Sequence, residues 1–310
     1  GQPGPARAGR KYSVPINMNT IQKGILQAPP PLARYMLFSL RADTDPRQPL
    51  QALAKIIDGQ QRVVGLGGSL LTSLDTKIEG LQTFPVYSEV AIDIPSTPAA
   101  LWCWLRGADR GELLHAGREV ERLLMPAFDL VKVIDAFQYR DSRDLSGYED
   151  GTENPDGDEA VTAAIVSGKG QGLDGSSFVA VQQWLHDLDY VESMESEERD
   201  HVIGRRLADN EEIEDAPASA HVKRTAQEDF EPEAFILRRS MPWADESGEG
   251  LVFVAFGSSF DAFEALLNRM LGKDDDIVDA LFRISQPLSG SYFWCPPVKD
   301  GYLDLRALEL

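Results

Sequence analysis

The chain has 310 residues, enough to bury one large core or two smaller ones. Hydrophobic residues make up 43% of it, and 50 acidic against 30 basic side chains leave a formal charge of −20. Such a surface repels nucleic-acid phosphates and anionic lipid, and no stretch approaches the roughly eighteen apolar residues of a membrane span, so nucleic-acid and membrane roles are not expected.

The N-terminal stretch GQPGPARAGRKYSVPINMNT lacks the apolar segment of a secretory signal. With the residues up to 30 it reads as a flexible extension, and the expected compartment is the cytoplasm. RYMLFSLRA (34–42) reads as a strand, and Leu50, Leu53, Ala54 and Ile57 then have the spacing of a helix that buries one face. QRVVGLGGSLLTSL reads as a strand and a glycine-rich turn, and ALWCWLRGA as another strand. A helix follows in RGELLHAGREVERLLM, with Ala116, Val120, Leu123 and Leu124 on one side, and FDLVKVIDAFQYRD closes the half as a strand.

SSFVAVQQWL opens the second half as a strand, before a long polar helical and loop stretch over 185–232. EAFILRRSMP and GLVFVAFGSS pair as antiparallel strands, DAFEALLNRMLG is a helix and GSYFWCPPV is the last strand. Both halves thus carry the order β-α-β-β-α-β without a sequence repeat; they are assigned to residues 31–140 and 141–310, with the junction near 138–145. The expected fold is α+β: two ferredoxin-like halves packed sheet to sheet, of the dimeric α+β barrel type.

Cys103 and Cys295 lie in apolar aromatic runs, LWCWL and YFWCPP, outside any CxxC. That argues against zinc or dithiol chemistry and suits a reducing compartment. GLGG (65–68) is too short and wrongly flanked for a nucleotide loop, and HExxH and GxSxG are absent. Among His115, His186, His201 and His221, His221 follows a proline and lies among small residues, in PASAHVKRT, that would let a flat ligand approach. In FILRRSMPW, Arg238 and Arg239 point to opposite faces of a strand. One therefore points inward, where it requires a carboxylate, an anionic ligand or a developing negative charge. In SGYEDGTENP (146–155), Asp150 sits among turn formers, a pattern shared by solvated loops and by sites.

Taken together these segments resemble the dye-decolorizing peroxidases. RDSRDLSGYEDGTENP carries that family's GxxDG signature, with Gly147, Asp150 and Gly151 in the fixed places. IGRR (203–206), SAHVKR (219–224), LRRSMP (237–242) and DALFRISQPLSGSYFWCP (279–296) are similar, in order and approximate spacing, to later blocks of its bacterial B-type branch. The likeness covers about residues 34 to 300. It implies a b-type haem in the C-terminal half, with His221 as the axial ligand of the iron. Asp279 is implied behind that histidine, with Asp274, Asp275 and Asp276 as rivals in the same run. Arg205 is implied at a haem propionate, and Gly151 and Thr152 beside the cofactor. Asp150 becomes the distal acid and Arg238 the distal arginine, with Arg239 as the alternative register and Ser240 further along the same strand face.

The implied reaction is reduction of hydrogen peroxide through a ferryl intermediate, followed by oxidation of dyes, phenols or other organic reductants. Asp150 would move a proton between the peroxide oxygens, and Arg238 would stabilise charge on the departing one. Because an unperturbed aspartate titrates near ~3.9, dye oxidation is expected to peak at about pH 4 to 5.5. Trp184, Tyr190, Trp243 and Tyr148 lie near these blocks, either to relay electrons or simply to pack. The alternative reading is a haem-handling protein that stores haem or releases its iron from the same pocket. A homo-oligomer is expected, and the C-terminus, DGYLDLRALEL, has no obvious tail for an encapsulating shell.

Overall fold

The computed structural model describes residues 15–310. Of the flexible extension expected over residues 1–30, residues 1–14 lie outside the described part, and the rest is packed rather than loose. Ile21 and Ile25 are buried. The buried Gln22 amide donates to the carbonyls of Val64 (2.9 Å) and Pro296 (3.0 Å) and accepts from the Val64 N–H (3.0 Å). A buried amide satisfied in this way ties the segment to both halves of the chain.

The first half runs β1 (Leu32–Leu40), α1 (Arg47–Ala54), β2 (Arg62–Leu66), α2 (Gly68–Ser73), β3 (Leu101–Gly107), α3 (Arg110–Leu124) and β4 (Phe128–Phe137). The Asp109 carboxylate caps α3 by accepting from the Glu112 N–H at 3.0 Å, and Leu113, Gly117, Val120 and Leu124 form its buried stripe. Where a glycine-rich turn was expected, the chain starts the short helix α2. Gly67 is needed at its entry, because a Cβ there would lie 2.0 Å from the Ala99 carbonyl oxygen.

The second half begins with α4 (Gly157–Ala164), which the sequence did not suggest, and β5 (Ser177–His186). The polar stretch holds only short helices: α5 (Leu188–Ser193), α6 (Ser196–Ile203) and α7 (His221–Arg224). Then come β6 (Leu237–Arg238), β7 (Met241–Asp245), β8 (Gly248–Gly257), α8 (Asp261–Met270), β9 (Ser285–Pro287) and β10 (Ser291–Cys295). A small hairpin of β11 (Val298–Lys299) and β12 (Tyr302–Leu303) follows.

All strand pairings are antiparallel. The order is β4-β1-β3-β2 in the first half and β7-β8-β5-β10 in the second, with β6 also on β8 and β9 on β5. The two sheets meet at both sides through single registered pairs, Ala136 with Trp243 and Leu66 with Trp294, so the strands close into a barrel. The sheets face each other across a shared core in which Tyr35, Trp102 and Phe293 stack at centroid distances of 6.1–6.2 Å. On β5 the alternation is strict: Val179 and Val181 point into the barrel, while Ala180 and Trp184 join the outer cluster with α8. Both cysteines are buried and free, and burial pushes the Cys103 thiol up to about 12 and raises that of Cys295 as well. Among the described residues no helix is long and apolar enough to cross a membrane.

Candidate active site

Between the outer face of the second sheet and the helices lies a cavity of about 280 Å³. Its sheet wall is formed by Gln182, Trp184 and His186 of β5, Arg238 of β6, and Leu251 and Phe253 of β8. Its helical wall is His221 of α7 with Phe263, Leu266, Leu267 and Met270 of α8. The loop between β4 and α4 completes it with Asp144, Asp150, Gly151 and Thr152, and Arg205 lies at its margin. Mostly apolar walls with a few convergent polar groups are the usual form of a ligand site.

His221 is the first residue of α7, and its ring is fixed from behind. Nδ1 lies 2.7 Å from Asp279 Oδ2, while Asp279 Oδ1 accepts from the Leu281 N–H at 2.8 Å. Asp279 is 1% exposed, so both carboxylate oxygens are spent on fixed partners. A carboxylate can only accept, so the proton on Nδ1 faces Asp279, and in the neutral ring Nε2 keeps its lone pair. Among the described residues Nε2 has no hydrogen-bond partner. Of the rivals to Asp279, Asp275 pairs instead with Arg224.

On the sheet side, Arg238 Nη1 lies 3.6 Å from Asp150 Oδ1, and the two side chains are 23% and 24% exposed. That separation is beyond a hydrogen bond, so the guanidinium's donors are not consumed by the carboxylate. An ion pair so placed adds little to stability, which counts against a purely structural role. Burial pushes the Asp150 carboxyl above the usual aspartate range; Arg238 pulls it down, Asp144 adds to the rise, and the Gly151 N–H and His221 lower it, with burial prevailing. Arg239 points the opposite way. It donates to the carbonyls of Ile25 (3.1 Å) and Leu26 (2.8 Å), which removes it as the cavity arginine.

Ser240 does not join the cavity. Its Oγ accepts the Val254 N–H at 3.1 Å, standing in for a strand carbonyl at the break between β6 and β7. This is why the single strand expected over 233–242 is interrupted. Arg205 is bound to Glu153 and to the Asn210 carbonyl (2.9 Å), and the Thr152 hydroxyl accepts from Asn210 Nδ2 (3.1 Å). Trp184, Trp243 and Tyr148 are buried, Trp184 stacking on Phe282 at 5.7 Å, whereas Tyr190 is 37% exposed.

Three residues that the sequence did not single out for this role hold the site together. Asn154, read only as a turn former, donates to the Arg238 carbonyl (3.0 Å) and accepts from the Arg238 N–H (2.9 Å). This pins the Asp150 loop to the strand that carries Arg238. His186 Nε2 lies 2.8 Å from Asp144 Oδ1 at another point of the cavity wall. No motif marks these positions, and only the fold brings them together.

Comparison with known proteins shows the family to which the chain belongs. Residues 141–300 match the family model described as "Dyp-type peroxidase, C-terminal". The dye-decolorizing peroxidase of Rhodococcus erythropolis is 30% identical over 249 residues, 77% of this chain and 72% of that protein. That of Mycolicibacterium paratuberculosis is 30% identical over 66% of this chain, and the match spans 59% of its length. Among solved structures, a dye-decolorizing protein from V. cholerae superposes with a TM-score of 0.81 at 26% identity, covering 92% of this chain and 98% of that one. A variant of DypB from Rhodococcus jostii RHA1 in complex with heme gives 0.81 at 26% identity, over 88% and 94% of the two chains.

Proposed function

Because the chain belongs to the dye-decolorizing peroxidase family, we propose that it binds haem in this cavity, reduces hydrogen peroxide there, and oxidises dyes, phenols or other organic reductants. The observation that carries the reading is a histidine with one ring nitrogen anchored and the other, among the described residues, free, in one cavity with an acid and an arginine whose donors no described residue takes up. The residues fit haem: His221 Nε2 would ligate the iron, Leu251, Phe253, Leu266, Leu267 and Met270 supply apolar walls, and Arg205 and Thr152 at the margin would meet the propionates. The lining runs from Asp144 to Ser285, which supports a haem site in the C-terminal half, and the repeated strand order supports two ferredoxin-like halves.

Bound haem would supply the redox chemistry that breaks the O–O bond. Ionised Asp150 would take a proton from the inner oxygen of peroxide and return it to the outer one, so that water can leave. Arg238, with its donors free, would stabilise the charge building on the departing oxygen and orient the oxidant towards Asp150. Asp279 would hold His221 in one tautomer and raise its basicity as a ligand. A visible spectrum of the purified protein tests the proposal: a Soret band that changes with one equivalent of peroxide, with dye oxidation exceeding any iron release, is expected. Iron release without dye oxidation would establish the haem-handling alternative.

Two consequences can be measured. Asp150 must be ionised to accept a proton, and burial raises its carboxyl. Its ionised fraction therefore falls as pH drops through a value above the ordinary aspartate range, and the acid limb of the peroxide rate should lie above that range. In Asp150→Asn the limb should vanish; a limb that persists would assign the proton to another group. Asp279→Asn should weaken haem retention or turnover about 10- to 100-fold, as loss of the partner behind a metal-bound histidine usually does. Haem titration of the variant beside the wild type measures it, and equal affinity and turnover would remove Asp279 from the site.

A further inference from the structure

Asp150 has no regular secondary structure to hold it. It lies in the connection from β4 to α4, which turns through positive φ at Gly147 (96°) and Gly151 (84°). A group that moves a proton must be held to within about 0.5 Å of its working place, so the ties on this loop decide how well it works. Asn154 supplies one tie, to Arg238. Asp144 supplies another. Its Oδ2 accepts from the Ser146 N–H (2.9 Å) and hydroxyl (2.6 Å), and its backbone N–H donates to the Tyr148 carbonyl (2.9 Å). Its Oδ1 meets Nε2 of His186, the last residue of β5, whose Nδ1 is 2.6 Å from Ser285 Oγ on β9. The His186 and Asp144 side chains are only 10% and 19% exposed, so water competes little for this contact.

We propose that His186 is a positioning residue for the peroxide reaction: through Asp144 it locks the loop that carries Asp150 to the sheet that carries Arg238. The inference rests on the peroxidase reading above. Since a carboxylate only accepts, the His186 proton facing Asp144 sits on Nε2, and Nδ1 is free to accept from the Ser285 hydroxyl. An asparagine at 144 can be accommodated. Its amide would donate to Nε2, the proton would move to Nδ1, and Nδ1–H would donate to Ser285 Oγ, whose own hydrogen can turn to the Leu185 carbonyl 3.2 Å away. A leucine at 186 or an alanine at 144 breaks the tie outright.

The test uses full-length, haem-loaded protein in four forms: wild type, His186→Leu, Asp144→Ala and Asp144→Asn. Stopped-flow mixing gives the second-order rate with hydrogen peroxide and, separately, the rate of reduction by a phenol. Amide exchange across residues 142–152 is followed with and without haem. His186→Leu and Asp144→Ala should each slow the peroxide step about 10- to 100-fold, as sub-ångström misplacement of a reacting group does. Both should speed exchange in the loop and leave haem content and the phenol step within about twofold. Asp144→Asn should stay within about threefold of wild type, a rescue that mere bulk stability would not give. If His186→Leu does not fold, Asp144→Ala carries the same expectation from the loop side. Wild-type peroxide rates and unchanged exchange in either broken-tie variant would overturn the proposal, as would an Asp144→Asn as slow as Asp144→Ala. A wild type that ignores peroxide would instead overturn the peroxidase reading, while the exchange data would still report the tie.

Discussion

His221→Ala should lose most of its haem and all but a trace of its turnover. Loss of the partner behind a ligating histidine alone costs about 10- to 100-fold, and removing the ligand itself must cost more. The other histidines do not offer the same geometry. His115 is exposed on α3 in the other half, and His201 lies on α6 outside the cavity lining. His115→Ala and His201→Ala should therefore keep a full Soret band. Added imidazole should restore part of the spectrum to His221→Ala, because the space it enters is still backed by Asp279. Haem loss in His115→Ala or His201→Ala, with retention in His221→Ala, would move the ligand elsewhere.

The second large effect is expected at Arg238. Losing a preorganised charge stabiliser costs roughly 10² to 10³ in rate, and losing a positioned proton carrier roughly 10² to 10⁴. The geometry favours Arg238 as the costlier loss within those overlapping ranges. Water can occupy the place of a lost carboxylate and carry part of the proton traffic. Nothing comparable can replace a guanidinium whose donors face the cavity, because Arg239 is committed to the carbonyls of Ile25 and Leu26. Arg238→Leu should thus slow the peroxide step at least as much as Asp150→Asn in stopped-flow measurements at one pH. Near-wild-type rates in both variants would remove the pair from the mechanism.

The parts of this protein that were legible in its sequence are those written in local spacing or in a contiguous motif. Phe263, Leu266, Leu267 and Met270 announce α8 by period, and the strands of both halves announce themselves by apolar runs. Asp150, Arg238 and His221, which line one cavity, each sit in their own short block, and Asp279, which contacts His221, lies in a block that follows in order. The barrel type was expected from the order of elements, but the register of its closure was not legible. It depends on Leu66 meeting Trp294 and Ala136 meeting Trp243, single pairs between distant residues that leave no periodic trace. Strand alternation put Ser240 on the face of Arg238, and what the sequence does not show is that its hydroxyl accepts the Val254 N–H at the break between β6 and β7. Asn154 and His186 read as a turn former and a strand end. Their roles exist only because β6 and the Asp144 loop arrive beside them.

The placement of the sulfur atoms bears on how long such a protein would survive its own oxidant. Peroxide attacks the thiolate form of cysteine, and only where it can reach it. Cys103 and Cys295 are both fully buried, and burial pushes the Cys103 thiol up to about 12 and raises that of Cys295, so the unreactive thiol form is favoured at both. Oxidative damage during turnover is thereby steered away from the thiols. The sulfur that lines the cavity is the thioether of Met270, on the helical wall beside the proposed haem. Sulfoxidation there would place a polar group among Phe263, Leu266 and Leu267, so self-inactivation should begin as a loss of cofactor fit rather than as cross-linking or thiol oxidation.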